Sequence, residues 1–204
     1  RPISVHFIDK ASNELWLLVQ KIGDGTRKMG EYKKGDIVNM LLPLGNSFSM
    51  PPKSAKILLV GGGVGVAPLL YWGAILKENG YAPEFLIGTR SECDLLQVNE
   101  FEKYGRLYCT TEDETFGEKG FVTDHSILTS NTFTHIYTCG PKPMMMAIAR
   151  YAVSKGIECE ASLENTMACG FGVCLCCVEN TTKGNTCVCT EGPVFNITDL
   201  KVTD

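Results

Sequence analysis

The sequence predicts an α/β domain built on a mainly parallel sheet, preceded by a short all-β segment and followed by a small cysteine-rich unit. Three observations carry this expectation. Between residues 53 and 160, short apolar runs alternate with helical patterns, as strands joined by crossover helices do. Residues 1–52 carry strand-like runs parted by turn residues. Six of the ten cysteines fall within residues 169–189.

The elements follow in order. Strand patterns run over Ile3–Ile8, Leu15–Ile22 and Asp36–Leu42, separated by Gly23-Asp24-Gly25 and Lys34-Gly35-Asp36. Pro51-Pro52 marks a boundary, because neither residue continues a ladder or a helix. Lys56–Val60 is a continuously apolar run of the kind found in buried parallel strands. Ala67–Asn79 has helical periodicity and stops at Gly80. A strand at Glu84–Ile87, a helix at Leu95–Tyr104 and strands at Leu107–Thr110 and His135–Thr138 come next. A helix over Pro143–Lys155, ended by Gly156, and a strand at Ile157–Ser162 complete the domain. The expected divisions are 1–52, 53–160 and 161–204. The last is too small for a core of its own and calls for a metal or cofactor staple.

Composition narrows the function. The 204 residues are 44% hydrophobic and 21% charged, which excludes wholesale disorder. A net charge of −4 argues against a nucleic-acid binder, which needs a basic face. No apolar run reaches the roughly 18 residues of a membrane span. Clustered thiols with no secretory signal before them indicate a reducing compartment, the cytoplasm. The chain begins at Arg1 on an alternating pattern. A strand there needs neighbours on its edges, so the chain is expected to start inside a domain.

The run ILLVGGGVGVAPLL sets a buried strand before Gly63-Val64-Gly65-Val66-Ala67-Pro68. Glycines let a backbone approach a pyrophosphate and turn amides towards it at a helix start. Pro68 suits the first helical turn. No Lys-Ser/Thr follows, which excludes a nucleotide-hydrolysing phosphate loop. A ligand-free tight turn explains this segment equally well by itself. The second glycine turn, Thr138-Cys139-Gly140-Pro141, decides for a nucleotide crevice, since it falls on the same carboxyl edge of the sheet.

The cysteines are spaced Cys169-x4-Cys174-x2-Cys177-x11-Cys189. The first three match the plant-type ferredoxin pattern, which is completed by a distant fourth thiolate. Gly170 and Gly172 lie where a loop must turn its amides onto sulfur. A zinc ribbon normally uses paired CxxC knuckles, so iron–sulfur is preferred over zinc and disulfides come last. Cys176 and Cys187 are read as surplus thiols. The acidic run Glu112–Glu114 reads as a solvated loop, Met144–Met146 as the start of an amphipathic helix, and His6, His125 and His135 receive no role.

Taken together, RPIS at the start, DGT at 24–26, PLGNSF at 43–48, GxGxxP at 63–68, CGPKPMM at 139–145 and SLENTMACGFGVCLCC…CVCTEGPVF at 162–195 resemble one family. It is the iron–sulfur electron-transfer subunits of type B dihydroorotate dehydrogenases, a branch of the ferredoxin-reductase-like proteins. The resemblance spans essentially the whole chain, and the terminal cysteine block is its most specific part.

The resemblance implies a partial antiparallel flavin-binding β-barrel over 1–52, a nicotinamide-nucleotide domain over 53–160 and a 2Fe–2S domain over 161–204. FAD would meet Arg1, Pro2, Ile3, Ser4, Leu18, Val19, Gln20, Gly25 and Thr26. NAD would meet Gly61, Gly62, Gly63, Gly65, Pro68, Cys139, Gly140 and Pro141, with Gly88-Thr89-Arg90 near the adenosine ribose. Cys169, Cys174, Cys177 and Cys189 would ligate the cluster. The implied activity passes electrons from the FMN-bearing catalytic subunit of a hetero-oligomer, through 2Fe–2S and FAD, to NAD+, in pyrimidine biosynthesis. Catalysis on the organic acid would lie on the partner. Related alternatives are the small subunit of an NADH-dependent ferredoxin–NADP oxidoreductase, which commonly has aspartate for one cluster cysteine, and a non-enzymatic nucleotide-binding redox sensor. The chain departs from the family's pattern at Leu42 and Cys176, where glycine is common, and in the shorter gap before Cys189. It also lacks the usual preceding barrel strands, so residues 1–204 alone are expected to hold FAD weakly.

Overall fold

A computed structural model describes residues 1–201. The chain opens with an antiparallel pair, β1 (Val5–Asp9) and β2 (Glu14–Leu17), followed by a short helix, α1 (Asp24–Met29). The nucleotide-type domain then alternates β3 (Ile57–Gly62), α2 (Ala67–Glu78), β4 (Glu84–Thr89), α3 (Val98–Glu102), β5 (Arg106–Thr111), β6 (Glu118–Lys119), α4 (Ile127–Ser130), β7 (His135–Cys139), α5 (Lys142–Lys155) and β8 (Glu158–Ser162). A hairpin, β9 (Val178–Thr181) and β10 (Gly184–Cys187), and a last strand, β11 (Val194–Asn196), complete the described residues.

Among those residues seven strands form one sheet in the order β11-β8-β7-β3-β4-β5-β6. All neighbours are parallel except β11, which runs antiparallel to β8. From β3 the chain builds outward to β4, β5 and β6 on one side, then returns to add β7 and β8 on the other. The strand order therefore reverses between β3 and β7, and crevices open outside the carboxyl ends at such a point.

Both faces of the sheet are covered, which explains the unbroken apolar runs of β3 and β4. Leu58, Val60 and Ile136 pack against Met145, Ile148 and Ala152 of α5. Ile57, Leu59 and Phe85 pack against Leu69, Leu70 and Leu76 of α2. A Cβ on Gly73 would come within 2.3 Å of the Phe85 ring, so a glycine is needed where α2 crosses the sheet. Gly156 ends α5 in the left-handed conformation, φ +65°, the usual glycine stop.

The β1–β2 pair lies beside α2. The Phe7 ring sits 5.4 Å from Trp16, 5.9 Å from Tyr71 and 5.7 Å from Tyr104. The linker is pinned by a Phe48–Trp72–Tyr137 aromatic group and by hydroxyls: Tyr137 donates to the Ser49 carbonyl at 2.8 Å and Tyr81 to that of Pro51 at 2.5 Å.

Four expectations are corrected. Residues 24–29 are helical rather than a turn, because the Thr26 hydroxyl accepts from the Ile22 and Gly23 amides and closes the first turn. Asp36–Leu42 is not a strand: Ile37 is 90% exposed, and no ladder partner lies beside it among the described residues. The expected helix over 95–104 shrinks to α3, because Gln97 takes a left-handed φ of 52° that a helix interior does not admit. The division at 160/161 cuts β8 in two, and β11 from the cysteine-rich unit extends the same sheet. Cys177, Val188, Cys189 and Phe195 belong to the α5-side core, so this unit shares a core where none of its own was expected.

Candidate functional site

The two glycine turns meet at the strand-order reversal. Gly61 pairs with Cys139 across β3 and β7. Beyond them Gly65 packs directly on the second turn: a Cβ there would lie 2.4 Å from the Gly140 Cα and 2.7 Å from the Cys139 carbonyl oxygen. Gly63 has φ +54° and faces open space, with nothing within 4 Å of where its Cβ would be. This is a backbone cradle of the kind a pyrophosphate needs, so the residues present fit a dinucleotide. Pro68 lies in the first turn of α2. Met144, read from sequence only as part of an amphipathic helix, forms the floor: a Cβ on Gly62 would meet its sulfur at 2.6 Å. Burial pushes the Cys139 thiol up to about 12, which keeps it a neutral thiol rather than a nucleophile.

Gly88, Thr89 and Arg90 stand at the end of β4, on the same edge. The Glu112 and Asp113 amides donate to the Thr89 and Arg90 carbonyls, both at 3.2 Å. The acidic loop, exposed as the sequence suggests, is thus tied beside Arg90.

Arg1–Ser4 precede β1 and Leu18–Gln20 follow the end of β2, so Ile3–Ser4 and Leu18–Gln20 lie outside the strands first expected to contain them. Arg1 is brought to α1: a Cβ on Gly25 would lie 2.6 Å from its Nε. A guanidinium laid against a glycine in a first helical turn is a cradle for a diphosphate, and the segment fits FAD.

The four candidate cluster cysteines lie on one loop and its return. The Gly172 amide donates to Cys189 Sγ at 3.2 Å, the Cys174 amide to Cys169 Sγ at 3.4 Å and the Cys189 amide to Cys177 Sγ at 3.4 Å. Gly170 and Gly172 take φ near +80°, which turns these amides inward. Hydrogen bonds from the Cys174 and Phe171 amides draw the Cys169 thiol down to about 6. Thiolate-favouring amides are what an iron–sulfur cluster requires, and the donor set fits 2Fe–2S. Among the described residues, no three His, Cys, Asp or Glu side chains are grouped as ligands of a single ion. Cys177 and Cys189 are buried while Cys174 is exposed, so the loop runs from core to surface.

Asn46 was missed as a residue of this site. Its amide accepts nothing from the loop but donates everything: its backbone N–H reaches the Gly192 carbonyl at 2.6 Å, and its Nδ2 reaches those of Glu191 at 3.0 Å and Thr190 at 3.4 Å. Gly45 beside it, φ +67°, leaves no room for a Cβ against the Gly192 oxygen. The PLGNS segment thereby clips the residues after Cys189 to the front of the molecule. Asn46→Ala is expected to cost about 1 kcal/mol and to lower Tm by roughly 2–4 °C, as read by scanning calorimetry.

The chain is similar to known proteins over most of its length. The profile of the iron–sulfur cluster binding domain of dihydroorotate dehydrogenase B matches residues 164–201, and that of the oxidoreductase NAD-binding domain matches residues 59–150. The dihydroorotate dehydrogenase B (NAD(+)) electron transfer subunit of Shouchella clausii is 36% identical over 207 residues, covering 98% of this chain and 79% of the relative. The probable counterpart in Methanocaldococcus jannaschii is 38% identical over 180 residues, covering 87% and 68%. Among solved structures, that of the NADH-dependent reduced ferredoxin-NADP oxidoreductase superposes with a TM-score of 0.88 at 30% identity, over 98% of this chain and 74% of the other. The FAD/NAD-binding domain of a Vibrio cholerae nitric oxide dioxygenase, at 18% identity and a TM-score of 0.64, shares the fold over 77% of this chain and 72% of its own.

Proposed function

The chain belongs to the family of dihydroorotate dehydrogenase B electron transfer subunits, and from that premise we propose that it carries electrons from an FMN-bearing dihydroorotate dehydrogenase catalytic subunit to NAD+. The observation that carries the reading is the joining of two ports in one body: the crevice where Gly65 meets Gly140, and the four-thiol loop whose return strand, β11, extends the same sheet. When bound, 2Fe–2S supplies one-electron transfer, FAD the exchange between one- and two-electron chemistry, and NAD+ the hydride acceptor.

The residues divide the work accordingly. Cys169, Cys174, Cys177 and Cys189 hold the cluster, with the Gly172 and Cys174 amides steadying its thiolates. Arg1 and Gly25–Thr26 hold the flavin diphosphate, while Pro2–Ser4 and Leu18–Gln20 contact the rest of FAD. Gly61–Gly63, Gly65 and Pro68, with Cys139-Gly140-Pro141, hold NAD. The functional divisions are a flavin segment over 1–52, a nucleotide domain from 53 and a cluster unit towards the C-terminus. Among the described residues no helix is long and apolar enough to cross a membrane; the ten free thiols support a cytoplasmic setting.

Phe171, Val173 and Leu175 are 60%, 72% and 64% exposed on the cluster loop. Apolar side chains beside a redox group suit a desolvated contact with the catalytic subunit. The flavin-loaded subunit alone is expected to reduce artificial acceptors with NADH and to leave dihydroorotate untouched; adding the FMN-bearing partner confers NAD-dependent dihydroorotate oxidation. Phe171→Asp is expected to weaken that complex by tenfold or more, about 1.4 kcal/mol, with little change in artificial-acceptor activity. Dihydroorotate turnover by the subunit alone overturns this division, and unchanged partner affinity in Phe171→Asp removes that residue from the contact.

A further inference from the structure

His6 has no part in the reading above, yet it stands where the flavin segment meets the nucleotide turn. The β1–β2 ladder pairs Val5 with Leu17 and then Phe7 with Trp16, so His6 is the extra residue of a bulge. A bulge re-aims a side chain away from the course that regular pairing would give it. The His6 ring points inward and is 2% exposed. Its Nδ1 lies 2.8 Å from the carbonyl oxygen of Ala67, and its Nε2 lies 2.5 Å from the side-chain amide of Gln97. A carbonyl only accepts, so Nδ1 carries the hydrogen of the first bond; the Gln97 amide, whose two ends exchange by a flip, completes the pair at Nε2.

The partners are not ordinary core neighbours. Ala67 opens α2 and directly follows Val66 of the glycine turn. Gln97 is one of the few non-glycine residues with a positive φ, a conformation that costs roughly 1–2 kcal/mol. Ser4, of the flavin segment, is two residues before His6. The flavin and nucleotide segments, moreover, belong to different sheets. Among the described residues no strand ladder joins them; the His6 bonds, with the packing of Phe7 and Leu18 on the α2-side core, hold them together.

We propose that His6 is a positioning residue for hydride transfer, its imidazole setting the spacing between the Arg1–Ser4 segment and the Gly63–Ala67 turn. The proposal rests on the assignment of those two segments to FAD and NAD. Hydride transfer needs reacting atoms about 3–3.5 Å apart, and a displacement of about 1 Å costs on the order of 100-fold in rate.

The test uses the flavin-loaded holoenzyme, with NADH reducing two ferricyanide ions per turnover and yielding NAD+ and a proton. His6→Ala is expected to lower kcat roughly tenfold or more while KM for NADH and flavin content stay within about twofold. The isotope effect with NADH deuterated at the transferred position should rise as the hydride step becomes limiting. Without NADH, amide hydrogen exchange over 63–70 should quicken and that over 142–155 should not. His6→Asn, whose amide N–H replaces the Nδ1–H towards Ala67, should restore both readouts. Gln97→Ala, which removes only the Nε2 partner, should shift them in the same direction and by less. Parent-like kcat and isotope effect in His6→Ala overturn the proposal, as does a rate loss that merely follows flavin loss or a fall in Tm. A parent holoenzyme that binds flavin but does not oxidise NADH overturns the functional reading itself, and this assignment with it.

Discussion

Cys177→Ser is expected to abolish the iron–sulfur cluster, and Cys176→Gly to leave it intact. The two thiols are adjacent in sequence and opposite in placement: Cys177 is buried and accepts the Cys189 amide, while Cys176 is exposed. Serine in place of Cys177 removes a thiolate from the inner end of the loop and leaves a hydroxyl in the core shared with Val188 and Phe195. Iron and acid-labile sulfide in anaerobically purified protein are expected to fall from full occupancy to none, and the visible charge-transfer bands should vanish with them. Cys176→Gly is expected to keep both. Stoichiometric zinc without labile sulfide, or a cluster that survives Cys177→Ser and is lost in Cys176→Gly, refutes the ligand set.

Gly65→Ala is expected to disrupt the proposed nucleotide crevice. The added methyl meets the backbone of the facing turn, with Gly140 N at 2.6 Å besides the Cα and the Cys139 carbonyl. No flexible side chain is available to give way, so the two turns must part. Overpacking of this kind costs about 1–3 kcal/mol, or roughly 5–150-fold in NADH affinity if the strain falls on the crevice. Gly80→Ala is the control: Gly80 follows the end of α2 away from the crevice, at φ +82°, and its methyl enters open space, so it carries only the left-handed penalty of about 1–2 kcal/mol. Calorimetric titration with NADH, together with Tm, separates lost affinity from lost fold. Parent-like NADH affinity in Gly65→Ala removes this contact from the binding site.

The parts legible in the sequence are those governed by local rules. The apolar run of β3, the helix stop at Gly156 and the cysteine spacing each depend on residues close along the chain. One local feature was misread: the Thr26 hydroxyl turned a Gly-Asp-Gly signal into a helix start. Features set by distant contacts were not legible. The apolar-rich run of 36–42 reads like a strand, but a strand also needs a neighbour. Asn46 reaches carbonyls about 145 residues away, and His6 reaches Gln97 across 91; neither carries a local signal. The site was legible as motifs but not as contacts. GxGxxP and CGP identified the two turns, while the close approach of Gly65 to Gly140 required the strand order.

The antiparallel strand β11 lies after the last cluster cysteine in the chain and yet borders β8 in the sheet. During synthesis, therefore, β8 stays an uncovered edge until Cys169, Cys174, Cys177 and Cys189 have all left the ribosome. The order of translation places every cluster thiol in the nascent chain before the sheet can take its final shape.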